Sequence, residues 1–139
     1  MTINKKVLVR FFKFGLVGIS GMVVNNAVLW LLHDFFEAAL FIASPVAIAV
    51  AILNNYTLNG IFTWNKNIHI RKFSYKQGLW RYYFTASISG GLNYITLLLL
   101  THLTGMYYIY ANIIGIFIGM IINFTVSEKW VFSQKSKDN

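Results

Sequence analysis

The side chains of this sequence with a capacity for chemistry are amides and cations. Asn25, Asn55, Asn59, Asn93 and Asn123 lie inside long stretches without charge. An unpaired amide in hydrocarbon is costly, so these groups are expected to face one another or a wet cavity. Two readings stay open: interhelical hydrogen-bonding glue, or a polar seam that a hydrated headgroup can follow. Asn25 follows Lys13 by 12 residues, and Asn93 follows Arg81 by 12, which places both about 18 Å inward along a helix. Arg10, Lys13, Arg81 and Lys129 flank the same stretches. They are candidates for a cradle around a lipid phosphate, or simply the cationic flanks of membrane spans.

Other chemistries have little to work with. There are no cysteines, which excludes disulfide scaffolds, zinc-thiolate sites, Fe–S clusters and thiol nucleophiles. Four carboxylates and three histidines assemble no nucleophile–base pair and no metal set, so neither an enzyme, a metal nor a cofactor is expected. His33 and His102 fall at span ends, where capping is the simpler role. No acidic residue lies near mid-bilayer, where a proton or ion relay would need one.

The elements that position these residues follow from composition. The chain has 139 residues, 57% hydrophobic and 12% charged, with a mean hydropathy of +0.58. Soluble domains carry about twice that charged share, so an all-α integral membrane protein is expected. Phe14–Leu32, Ala38–Asn65, Tyr82–Thr101 and Leu103–Ser127 lack charged residues and histidine, and each is long enough to cross a bilayer as a helix. Helices are placed near 11–33, 41–63, 82–102 and 108–131, with Ser44-Pro45 as an N-cap and N1 pair that would start the second later. The first span is too long for the apolar core of a cleaved signal peptide, and it has a counterpart in the second half. All 12 Lys and Arg fall before the first helix, between the second and third, or after the fourth. This one-sided placement puts both termini in the cytoplasm. The net charge of +8 is therefore a topology signal, and nucleic acid is not an expected partner.

The halves resemble each other. Ile19-Ser20-Gly21 and His33 match Ile88-Ser89-Gly90 and His102 at an offset of 69, and Asn55–Trp64 matches Asn123–Phe132 at 68. Four transmembrane helices built as two parallel helical-hairpin repeats are expected, related by a pseudo-two-fold axis along the membrane normal. The chain is one membrane domain, 1–139: repeat 1 about 10–65, a basic cytoplasmic loop 66–80, repeat 2 about 81–132, and a tail 133–139. Ala39, Ala43, Ala47, Ala51, Asn55 and Asn59 form a small-residue stripe, as do Ala111, Gly115, Gly119, Asn123 and Ser127. Such stripes allow close helix approach. The second and fourth helices are therefore expected to cross each other, or copies of themselves in a homodimer. The loop mixes Lys66, Arg71, Lys72 and Lys76 with Phe73, Tyr75 and Trp80, a pattern that attracts anionic membrane lipids. Trp30, Trp64, Trp80 and Trp130 read as interfacial belts.

Across residues 8–133 the sequence resembles the GtrA-like family of small four-helix membrane proteins. The resemblance rests on Arg10-Phe-Phe-Lys-Phe-Gly-Leu-Val-Gly18 opening the first helix and on Asn123-Phe-x-x-x-x-Lys-Trp-Val-Phe132 closing the fourth. Asn59-Gly60-Ile61 departs from the family, which commonly has a basic residue there. The resemblance implies transfer of a polyprenyl-phosphate-linked (undecaprenyl-phosphate) monosaccharide from the cytoplasmic to the outer leaflet of the bacterial inner or plasma membrane. The sugar then glycosylates cell-surface polysaccharide such as O-antigen or teichoic acid, and its consumption outside draws the movement forward. It further implies a membrane glycosyltransferase as partner and the lipid-linked sugar as ligand. Arg10, Lys13, Arg81 and Lys129 would then hold the lipid phosphate, and Asn25, Asn55, Asn59, Asn93 and Asn123 would line the sugar's path. The alternative is a non-transporting subunit that anchors or activates the glycosyltransferase. A small multidrug exporter would need an acid in the first helix, and none is present there.

Overall fold

The computed structural model describes residues 4–64 and 71–134. Lys66 of the basic loop and Lys135 and Lys137 of the tail lie outside the described residues. Within them the chain is helical: α1 (Lys5–Trp30), α2 (Leu40–Leu58), α3 (Tyr75–Thr104) and α4 (Tyr108–Val126). Five-residue π-helical turns extend α1 (Leu31–Phe35), α2 (Asn59–Thr63) and α4 (Ser127–Val131). All four helices are long and apolar enough to cross a membrane. Their outer faces agree with that length. Leu16, Ile19, Met22 and Val23 on α1, and Ile113 and Phe117 on α4, are more than half-exposed, an arrangement suited to lipid contact and not to water.

The helix boundaries differ from expectation where caps override the charge count. Ser74 and Gln77 form a reciprocal capping box: Gln77 N donates to Ser74 Oγ (3.4 Å), and Ser74 N donates to Gln77 Oε1 (3.1 Å). This satisfies two end groups of α3. The helix therefore starts at Tyr75, and the last six residues of the presumed loop 66–80 are helical. Asn4 Oδ1 likewise accepts from Lys6 N at 3.1 Å and starts α1 at Lys5. Ser44-Pro45 does not begin the second helix; Pro45 lies inside α2, which starts at Leu40.

The chain divides into two compact units, Met1–His69 and Ile70–Asn139. In the first, α2 packs antiparallel on α1: Phe14 meets Trp64 near one end, and Gly21 faces Asn55 further along. In the second, α4 packs antiparallel on α3, with Tyr82 against Phe132 and Asn93 against Gly115. The small-residue stripes are used inside these pairs. Ala43, Ala47 and Ala51 are buried, as are Ala111, Gly115 and Gly119. A Cβ at Gly119 would approach the Ser89 carbonyl oxygen to 2.9 Å, so α4 sits on the backbone of α3. Within each pair, α1 and α3 cover these stripes, so the close approach they allow is made inside the hairpins.

The connections explain the pairing. A left-handed residue ends the first helix of each unit, Glu37 (φ 56°) and Gly105 (φ 67°), and each is followed within three residues by the returning helix. Ala38 N donates to Leu32 O (2.9 Å) and Met106 N to Leu100 O (3.4 Å), closing carbonyls the helix ends would leave open. So short a return brings the second helix of each pair against its own first.

Candidate functional site

The second unit builds its cationic site around Arg81, one and a half turns into α3. The guanidinium carbon lies 3.5 Å from the Phe73 ring centroid and 4.6 Å from that of Trp130. Phe73 precedes the Ser74 cap, and Trp130 is carried by the π turn after α4. Among the described residues the guanidinium has ring contacts but no hydrogen-bond or ion-pair partner. A guanidinium against aromatic rings keeps its N–H donors in its own plane, available edge-on to a planar or tetrahedral oxyanion. Phe73, Gln77, Trp80, Arg81, Phe84 and Trp130 line an open groove of about 460 Å³. Lys129 is exposed and does not belong to this lining.

In the first unit the corresponding cation has an internal partner. Lys13 Nζ lies 4.8 Å from the Phe62 ring centroid and donates to Phe62 O at 3.4 Å. It neutralises a carbonyl end of the α2 extension, where a positive charge is favoured. Lys13 and Arg81, and Phe62 and Trp130, are each 68 residues apart, as are the ring pairs Phe14–Trp64 and Tyr82–Phe132. Arg10, three residues before Lys13 on α1, lines an open groove of about 550 Å³ with Asn4, Lys5, Lys6, Thr63 and Trp64. Lys5 and Lys6 were not singled out from sequence, although their place in the first turn of α1, next to Arg10, was a usable signal.

The five asparagines separate into different settings. Asn25 and Asn55 line one groove of about 320 Å³ between α1 and α2, together with Asn26. Asn59 is buried at 1% exposure and accepts from Thr63 Oγ1 at 2.6 Å; it serves the interior of its helix pair. Asn93 is set against Gly115, and Asn123 Oδ1 accepts from Ser127 Oγ at 3.3 Å. Among the described residues, the Oδ1 atoms of Asn25, Asn55 and Asn93 are buried without a hydrogen-bond partner. Asn54 and Ser20 form a further polar link, Asn54 Nδ2 to Ser20 Oγ at 3.3 Å, which sequence reasoning missed.

His33 Nδ1 lies 2.9 Å from the Ala38 carbonyl; since a carbonyl only accepts, Nδ1 carries the proton, and the ring caps the α1–α2 turn. Among the described residues no group of three or more His, Cys, Asp or Glu could hold a metal. Trp64 is not a belt residue. At 3% exposure it packs edge-on against Phe14, with ring centroids 5.9 Å apart.

Comparison with known proteins adds two findings. Residues 13–132 match the family described as GtrA/DPMS, transmembrane domain. Over 119 residues the chain is 30% identical to a protein of Pyrococcus furiosus named dolichol-phosphate mannosyltransferase. That alignment covers 86% of this chain but 32% of the relative, so the chain spans about a third of the length of the protein it matches.

Proposed function

The chain belongs to the GtrA/DPMS transmembrane domain family and is a multi-pass membrane protein; from that premise we propose that it moves a polyprenyl-phosphate-linked monosaccharide between membrane leaflets. The direction is from the cytoplasmic to the outer leaflet, with both termini cytoplasmic and the protein in the bacterial inner or plasma membrane. It is not itself an enzyme; a membrane glycosyltransferase makes the lipid, and the sugar goes to a cell-surface polysaccharide such as O-antigen or teichoic acid. The observation that carries the reading is Arg81, whose guanidinium is covered by rings in an open groove and has no other partner among the described residues. A cation held that way suits a phosphate presented at a membrane surface, because the rings fix its plane while the groove leaves its edge reachable. Arg10, with Lys5 and Lys6, offers a second anion-attracting groove, and the apolar exterior leaves the polyprenyl tail in lipid.

Reconstitution tests this reading. A polyprenyl-phosphate hexose is placed in one leaflet of sealed liposomes, and its accessibility from the other side is followed. Acceleration over protein-free liposomes is expected; an unchanged rate with folded protein refutes translocation.

A second reading is favoured by the name of the Pyrococcus furiosus relative and by the about two thirds of it left unmatched. In that reading the chain anchors or activates a separate polyprenyl-phosphate glycosyltransferase. Co-purification of a transferase, lost when Arg71 and Lys72 are neutralised, would support it.

A further inference from the structure

The groove between α1 and α2 presents a different chemistry from that of Arg81. Asn25 and Asn55 line it, and their Oδ1 atoms are buried without a donor among the described residues; a buried acceptor left unpaired is destabilising until a donor reaches it. A phosphate offers acceptor oxygens and can engage only the N–H groups of these amides, whereas a hydroxyl can pair with either end of an amide. Hydroxyl groups donate. The exposed amide of Asn26 adds both a donor and an acceptor at the rim, while Met22 and Ile52 supply apolar wall. That combination of converging polar atoms over a hydrocarbon surface suits a pyranose ring, which has hydroxyl edges and C–H faces. The volume of about 320 Å³ falls at the lower end of small-molecule sites, about 300–1,000 Å³.

The depth of the groove gives it a place on a route. Gly18 and Asn25 lie five and twelve residues beyond Lys13, roughly 8 and 18 Å along α1. A sugar seated there has left the basic end of the unit. In the second unit the corresponding positions, 68 residues on, are Asn93, Tyr94 and Asn123, and Asn123 already accepts from Ser127.

We infer that the α1–α2 groove is a saccharide subsite, in which the side-chain amides of Asn25 and Asn55 hydrogen-bond hydroxyls of the lipid-linked sugar as it crosses. The inference rests on the lipid-linked-sugar reading above and deepens it, since it separates sugar recognition from phosphate recognition. It also places discrimination between sugars within the first helix pair, at Asn25, Asn26 and Asn55.

Binding to the full chain in phosphatidylcholine nanodiscs tests it, with three probes: a short-chain polyprenyl phosphate, its hexosyl derivative, and phosphatidylglycerol, whose headgroup also donates hydroxyls. Two hydrogen bonds to the sugar are expected to tighten Kd about tenfold for the hexosyl lipid over the sugar-free one. That ratio falls toward one in Asn55→Ala. It also falls in Asn26→Ala, an exposed position whose truncation does not threaten folding. Equal affinity of the two polyprenyl lipids for the wild-type protein overturns the subsite while leaving the phosphate reading in place. Phosphatidylglycerol binding as tightly as the hexosyl lipid overturns it too, because the groove would then read any headgroup hydroxyl. Absence of binding by both polyprenyl lipids removes the subsite together with the reading beneath it.

Discussion

Gly115→Ala tests whether α4 rests on the backbone of α3. A Cβ at this position would lie 2.8 Å from the Asn93 carbonyl oxygen and 3.3 Å from Asn93 Cα, besides meeting the Asn93 amide oxygen. The amide can rotate, but the main chain of a packed helix cannot step aside, so the helices must part. Overpacking of this kind costs about 1–3 kcal/mol, while alanine's better helix propensity returns up to about 1 kcal/mol. The net expectation is a loss of about 1–2 kcal/mol. Gly91 in α3 is the internal control, because a Cβ there meets nothing within 4 Å. Gly91→Ala therefore keeps the propensity gain without the clash, a change of about 0 to +1 kcal/mol. Reversible unfolding in mixed detergent micelles measures both variants. They should differ by about 2 kcal/mol in the stated order. Equal stabilities, or Gly115→Ala at wild-type stability, would refute close packing through the small-residue stripe.

Three further outcomes follow from other contacts. Gly21→Ala places its Cβ against the Asn55 side-chain amide, within 2.6 Å of Cγ; since only a side chain is displaced, the unfolding midpoint should stay near wild type while translocation in liposomes falls severalfold. Glu37 holds a left-handed backbone where Gly105 stands at the other turn, so Glu37→Gly should raise stability by about 0.5–1 kcal/mol in the same assay, and a loss would mean the carboxylate contributes. Arg81→Lys retains the charge but loses the planar fork set against Phe73 and Trp130. Affinity for a short-chain polyprenyl phosphate, read by titration, should fall about tenfold; unchanged affinity would show that charge alone suffices.

The four spans were legible because charged residues bound them so cleanly: Lys13 and His33 enclose one stretch, Arg81 and His102 another. The small-residue stripes were equally visible, yet their partner was not. A four-residue spacing defines a face of a helix and leaves open which helix covers it. The short turns at Glu37 and Gly105 decide that, returning α2 onto α1 and α4 onto α3. The early start of α3 was written in Ser74-x-x-Gln77, a capping signature outweighed by the basic run around it. The π turns after α2 and α4 had no sequence signal, because they arise from tertiary seating: Trp64 N donates to Asn59 O and Phe132 N to Ser127 O, both at 2.9 Å, as these aromatic rings fold onto Phe14 and Tyr82. Among the site residues, Arg81 was identified by charge, while the rings that hold it, Phe73 and Trp130, looked like ordinary loop and belt aromatics. The asparagines were identified by type and depth, but spacing could not separate Asn59, bonded to Thr63 in the interior, from Asn25 and Asn55 in an open groove.

The central claim is that this chain carries a lipid-linked sugar across a bilayer, and the rate of that crossing tests it most directly. Sealed liposomes loaded in one leaflet with a polyprenyl-phosphate hexose, containing wild-type or Arg81→Gln protein, are treated with a membrane-impermeant reagent that oxidises exposed sugar. The account predicts rapid loss of the protected pool with wild-type protein and a rate near that of empty liposomes with Arg81→Gln. A wild-type rate equal to empty liposomes, with the protein folded, would contradict it.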